Sequence, residues 1–275
     1  MIKIFTFASH RVDFIGLQMH SFRKYLKEDF EFVVFNNAKY DWAGGASYNG
    51  INEQCGQIGV SVIDIQKDKA LLDRCQQVEF SCSMLNPQGL YSNANVAHAY
   101  AFCWAWENIM YKEQIPIAIF DSDVFLIQPT KLTDTLNPHH ICNISDGKPS
   151  PEGPPILYMW PTFVLLDMVR LPDPQTLNWY CGQIRGVPVD VGGQTHHYLQ
   201  AHPELDVYDV PKQHFPYPEI AETYPCPVEP PDYDEFYLKD AIVLHYRSGS
   251  NWNHRSGDYH QRKTEWLKRR IEEGR

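Results

Sequence analysis

The feature that most constrains this chain is the alternation of strand-like and helix-like segments through residues 2–121, which closes on the acidic tripeptide Asp121-Ser122-Asp123. Ile2 to Ala8 reads as a strand, Phe14 to Leu26 as a helix with apolar residues at helical spacing, and Glu31 to Phe35 as a second strand. Val60 to Ile65 supplies a third strand and Val96 to Met110 a helix rich in alanine and aromatics. Ile115 to Phe120 is then an unbroken apolar run that stops at Asp121. Such alternation predicts an α/β fold: a Rossmann-like, mostly parallel central sheet flanked by helices, with ligands collecting outside the carboxyl ends of the strands. Asp121 stands at such an end.

Downstream the pattern loosens. Ile156 to Asp167 and Ala241 to Tyr246 are strand candidates, and a helix is expected near Gly193 to Ala201. Prolines recur between Pro203 and Pro231, which predicts a long ordered loop there, placed over the site. Tyr259 to Arg275 reads as an amphipathic surface helix anchored by Trp266, its Lys and Arg cluster forming a solvated face. No composition shift or linker interrupts the chain, so residues 1–275 are read as one domain. Residues 1–125 and 126–275 are read as the first and second halves of that domain.

Composition narrows the function. Hydrophobic residues at 43% and charged residues at 21% are those of a globular domain. A formal charge of -10 excludes a general nucleic-acid binder, which needs a basic surface to neutralise phosphates. The seven cysteines lack Cys-x-x-Cys spacing and are odd in number, so reduced thiols are expected. The apolar N-terminal stretch is too short for a signal core or membrane span. A cytoplasmic address follows as the expectation, the host cytoplasm if the gene is viral.

Asp121 and Asp123 carry the strongest chemical signal. Alternate residues of an extended segment project to one side, so both carboxylates can face one cation. Manganese or magnesium is held by one or two protein carboxylates while substrate phosphate oxygens complete the shell, so paired acids at a strand end suit a diphosphate ligand. Two other readings of Asp-Ser-Asp stand beside this one. The tripeptide has the composition of a polar turn, and a phosphatase of the haloacid-dehalogenase type also places Asp-x-Asp after an apolar strand, with the first Asp as nucleophile. That phosphatase motif expects Thr or Val where Phe125 stands, usually begins its domain, and needs a downstream acidic pair that is not evident here.

The apolar strand and its Asp-x-Asp resemble the GT-A glycosyltransferases, which implies the nucleotide-diphospho-sugar transferase fold. Ala241-Ile-Val-Leu-His245-Tyr-Arg-Ser-Gly249-Ser-Asn-Trp252 is similar to the C-terminal His-Gly-Trp segment of the glycogenin-like transferases. The resemblance implies that His245 joins Asp121 and Asp123 as a third metal ligand, and that Gly249 and Trp252 lie by the donor. The spacing from His to Gly is one residue longer here, and Arg247 stands in for a phosphate-contacting Lys. By position in the fold, the resemblance also implies that Ala8, Ser9, His10 and Arg11 lie beside the donor nucleoside, as do Asn95, His98 and Ser122. Asp190, in the Gly186-to-Gln194 segment, is expected to face the acceptor, and the glycines after it to let the backbone approach a ligand closely.

These readings converge on a metal-dependent hexosyltransferase. Its cofactor is Mn2+ or Mg2+, and its donor a nucleotide sugar, most often a UDP-sugar in such families. The acceptor hydroxyl belongs to a glycan, a protein or a small molecule. The His245 segment implies retention of configuration. A GT-A frame that binds nucleotide or carbohydrate without turnover is the non-catalytic alternative.

Overall fold

The computed structural model describes residues 1–38, 46–68, 70, 71, 73, 93–214, 234–240, 242–246 and 257–273. The chain opens with β1 (Ile2–Ala8), α1 (Val12–Tyr25), β2 (Phe30–Asn36), α2 (Ala46–Ile58) and β3 (Ser61–Asp64). After α3 (Asn93–Asn108) come β4 (Ile117–Asp121), β5 (Val124–Leu126), the short α4 (Leu132–Leu136), β6 (Ile141–Lys148) and β7 (Ile156–Leu166). The remainder comprises β8 (Gly182–Ile184), β9 (Val187–Val189), α5 (Thr195–Ala201), β10 (Val207–Asp209), β11 (Lys212–His214), β12 (Glu235–Tyr237), β13 (Val243–His245) and α6 (Gly257–Glu273).

A seven-stranded sheet runs β10-β6-β7-β4-β1-β2-β3. Its pairings β4–β1, β1–β2, β2–β3 and β10–β6 are parallel, and β7 alone runs against its neighbours β4 and β6. Both faces are covered, which is why β1 and β4 are apolar at nearly every position rather than alternating. On one face Ile4, Val34, Phe120 and Leu165 pack with Phe14, Phe22 and Ile51 from α1 and α2. On the other, Phe5, Phe35, Ile119 and Val164 pack with Phe102 and Trp106 of α3. The fold is therefore mixed α/β, with a mainly parallel central sheet flanked by helices.

A second, antiparallel sheet of four strands, β11-β12-β13-β5, sits on the α1 side, where Phe125, Phe236 and Leu244 join the first core. Its register sets His214, Glu235, His245 and Val124 side by side across all four strands. Directly paired residues share a face, so this row of side chains stands on one surface of the small sheet.

Several expectations are corrected. Two strands, β10 and β11, occupy part of the Pro203-to-Pro231 stretch read as a loop; residues 215–233 lie outside the described residues. On α6 the basic residues do not all face solvent. Lys263 and Arg270 are buried, and docking rests on Tyr259, Leu267 and Ile271, with Trp266 only half-buried. Cys55 and Cys142 are buried thiols, pushed up to about 11 and about 12 by burial. Among the described residues no helix is long and apolar enough to cross a membrane.

Candidate active site

The parallel register puts Phe7 of β1 level with Asp121, so the carboxyl ends of β1 and β4 lie together. β4 stops at Asp121 and β5 begins at Val124, leaving Ser122 and Asp123 as a two-residue turn. The two acids therefore do not share one extended strand, and strand alternation does not orient them. Separate partners do. Thr162 Oγ1 donates to Asp121 Oδ2 at 3.1 Å, and His98 Nε2 lies 3.8 Å from Asp121 Oδ1. Asp123, only 4% exposed, faces His245 Nε2 across 3.6 Å. The turn itself is held from beneath by Gln18 of α1, whose amide donates to the carbonyls of Asp121 and Val124 at 2.8 and 3.0 Å. From the side, the Tyr246 N–H donates to the Asp123 carbonyl at 2.9 Å.

His245 is the most tightly constrained side chain of the group. Its Nδ1 lies 2.6 Å from Tyr237 Oη and 3.2 Å from Glu235 Oε2, and the Tyr237 hydroxyl donates to the same carboxylate oxygen at 2.6 Å. Trp160 of β7 meets the imidazole edge-on at 5.8 Å between centroids. The row continues outward, since His214 Nε2 is 3.4 Å from Glu235 Oε1.

Charges in this group perturb one another. Burial pushes Asp121 up to about 6, helped by the Asp190 charge and opposed by His245 and by the Thr162 hydrogen bond. Burial lowers His98, with Asp190 and Asp123 pulling the other way. For His245 burial also favours the neutral ring, yet the Glu235 hydrogen bond and the charges of Asp123, Glu235 and Asp121 outweigh it and raise the group. Glu235 is pushed up by burial but carried down to about 2 by its bond to His245 and that ring's charge. The cluster thus gathers several carboxylates around one imidazole, a donor set that meets a cation once the ring is neutral.

Other residues singled out from sequence fall as follows. Ala8 is buried and level with Asn36, Ser9 is half-buried and His10 exposed. Arg11 is 4% exposed and fixed in place: its guanidinium pairs with Asp13 at 2.7 Å, lies 3.5 Å above the Phe14 ring and reaches Thr264 of α6 at 3.0 Å. Asn95 lies in the first turn of α3, one turn before His98. Asp190 accepts from the Val191 N–H at 2.8 Å, a local turn bond, while its charge acts on both His98 and Asp121. The glycines after Asp190 meet protein rather than open space. Gly192, at φ +85, leaves room for no Cβ because the Met159 carbonyl would stand 2.1 Å from it. Arg247, Gly249 and Trp252 lie outside the described residues.

Sequence reasoning missed Gln18, Thr162, Glu235 and Tyr237. None carries a local signal. Each reaches the site through pairing between segments distant in the chain.

No family model matches the sequence, and no curated protein matches it. Among solved structures, the apo-form glycosyltransferase GlyE of Streptococcus pneumoniae TIGR4 is similar at 15% identity and a TM-score of 0.42, covering 96% of this chain and 59% of its own. The present chain therefore spans about three-fifths of that protein. The galactosyltransferase LgtC, in complex with donor and acceptor sugar analogues, is similar at 11% identity and a TM-score of 0.44, covering 97% of this chain and 95% of its own. Mouse xyloside xylosyltransferase 1 in its apo form is similar at 12% identity and a TM-score of 0.36, covering 76% and 78%.

Proposed function

We propose that this chain is a metal-dependent glycosyltransferase of the GT-A type that moves a sugar from a nucleotide-diphosphate donor, a UDP-sugar, to an acceptor hydroxyl. The observation that carries the reading is the meeting of Asp123 and His245 Nε2 at 3.6 Å, beside Asp121 at the carboxyl end of β4. A divalent Mn2+ or Mg2+ ion fits this donor set, since carboxylate oxygen and imidazole nitrogen together suit manganese and an open shell leaves room for phosphate oxygens. Among the described residues no group of three or more His, Cys, Asp and Glu side chains is placed to hold a metal alone. The ion would be shared with the donor diphosphate, held by Asp123, His245 and Asp121. When bound it supplies positive charge for the departing nucleoside diphosphate.

The chain's own residues do the rest. Gln18 and the Tyr246 N–H fix the acidic turn before substrate arrives, so little reorganisation accompanies binding. Thr162 and His98 hold Asp121 at a distance that leaves its exposed fraction, 28% of the side chain, open to the ligand. Asp190 lies within electrostatic reach of Asp121 and orients the acceptor; in an inverting enzyme it would take the hydroxyl proton. The His245 segment supports retention.

The test is a panel of nucleotide sugars with manganese, reading release of nucleoside diphosphate, alongside Asp123→Ala. Release that depends on metal and falls roughly a hundredfold or more in the variant is expected, because metal-borne charge stabilisation is worth several kcal/mol. Unchanged metal-dependent release in Asp123→Ala removes Asp123 from the chemistry. Nucleotide binding without turnover across the panel indicates a non-catalytic module, and phosphate release from simple phosphomonoesters a phosphatase.

A further inference from the structure

His245 faces Asp123 through Nε2, and the residues that hold the ring touch its other nitrogen. Glu235 stands directly across from His245 in the β12–β13 register, 3% exposed, and its carboxylate touches both Tyr237 and the imidazole. The polarity of this triangle is fully determined. An ionised carboxylate can only accept, so the Tyr237 proton points at Glu235 Oε2. The Tyr237 oxygen then has no proton left for Nδ1, 2.6 Å away, and must accept from it. Nδ1 therefore carries the hydrogen of the neutral ring, shared between Tyr237 Oη and Glu235 Oε2. The lone pair is left on Nε2, the nitrogen that faces Asp123 at 3.6 Å.

We infer that Glu235, acting through Tyr237 and directly, is a positioning residue: it sets the tautomer and tilt of His245 so that Nε2 is presented to a divalent cation on the Asp123 side. A metal-bound imidazole ordinarily donates its second N–H to such a group, and loss of that partner weakens metal binding without removing a ligand. The arrangement spans the small sheet, so the cation's environment is written into strand register rather than into the Asp121-Ser122-Asp123 turn. The inference rests on the proposed function for the identity of the ion, but its geometric part does not.

The experiment measures two quantities on the chain of residues 1–275. The first is the affinity for UDP by calorimetry, with saturating Mn2+ and again with EDTA. Glu235→Gln should lower the Mn2+-dependent affinity by roughly ten- to a hundredfold while leaving the EDTA value unchanged. A purely structural role would move both. Tyr237→Phe keeps the 3.2 Å contact between Nδ1 and Glu235, so its loss should be smaller, under about tenfold. The second quantity is the tautomer of the neutral His245 ring in the metal-free protein, read from imidazole nitrogen resonances assigned with His245→Gln. The hydrogen should sit on Nδ1 in the wild type and in Tyr237→Phe, and shift towards Nε2 in Glu235→Gln, whose amide can donate to Nδ1.

Equal Mn2+-dependent affinity in wild type and Glu235→Gln overturns the inference and leaves the proposed function standing. A wild-type affinity for UDP that ignores Mn2+ overturns the metal reading instead, and the tautomer measurement then judges Glu235 independently. A larger loss in Tyr237→Phe than in Glu235→Gln also counts against the assignment.

Discussion

Gly192 shows how little tolerance surrounds the site at the level of single residues. Its φ of +85 is one that side chains rarely adopt, and a Cβ would stand 2.1 Å from the Met159 carbonyl of β7. Neither strain can be relieved by rotating a side chain, because the obstacle is backbone. Gly192→Ala is therefore expected to destabilise the protein by more than about 2 kcal/mol, combining a left-handed backbone penalty with a steric one, as measured by denaturant unfolding. It should also displace Asp190, whose carbonyl accepts from the Gly193 N–H in the same turn. Asp121, Asp123 and His245 could be singled out from sequence because their chemistry is condensed into short, recognisable segments. Glu235 and Tyr237 could not, since nothing in Asp234-Glu235-Phe236-Tyr237 says which strand it will face. Their roles appear only once β12 is laid against β13.

Among the elements, α6 depends on an ion pair where sequence suggested a solvated face. Lys263 and Asp234 are each 1% exposed and meet at 2.5 Å, with the ammonium 4.1 Å from the centroid of the Tyr246 ring. Helical periodicity located α6 correctly, but the buried Lys263 could not be read from it, because the partner Asp234 comes from a separate segment. Removing one member of a buried pair strands the other. Lys263→Met should cost about 3–5 kcal/mol of stability, whereas Lys263→Met with Asp234→Leu should recover most of it, a comparison for a double-mutant cycle in urea. Long strands and helices with strong periodicity were legible; three-residue strands such as β5, β12 and β13 offer too few positions to establish a period. The small sheet that orients His245 is built from these.

For the molecule as a whole, the perturbed groups predict how metal-free stability varies with pH. Glu235 sits near 2 in the folded chain against an ordinary 4.5, so it stabilises in full above 4.5 and loses that contribution as pH falls towards 2. His245 is raised, so its contribution is complete below 6.5 and is lost as pH climbs through the higher native value. Asp121, raised from 3.8 to about 6, stabilises in full below 3.8 and loses that contribution as pH rises from there to about 6. Thermal unfolding in EDTA should therefore show its highest midpoint between pH 3.8 and 4.5, and Glu235→Gln should flatten the acid limb. A midpoint that stays level from pH 3 to 8 would show that these groups do not govern stability. The pairing of β13 with β5 has a further consequence, one of timing. His245 and Val124 are neighbours across a sheet but are separated by most of the second half of the chain. During synthesis the acidic turn leaves the ribosome long before its imidazole partner exists, so a nascent chain carries Asp121 and Asp123 without the group that completes the site. Such long-range closure is slow relative to local helix formation, and completion of the site should come late, after the chain has been released past β13.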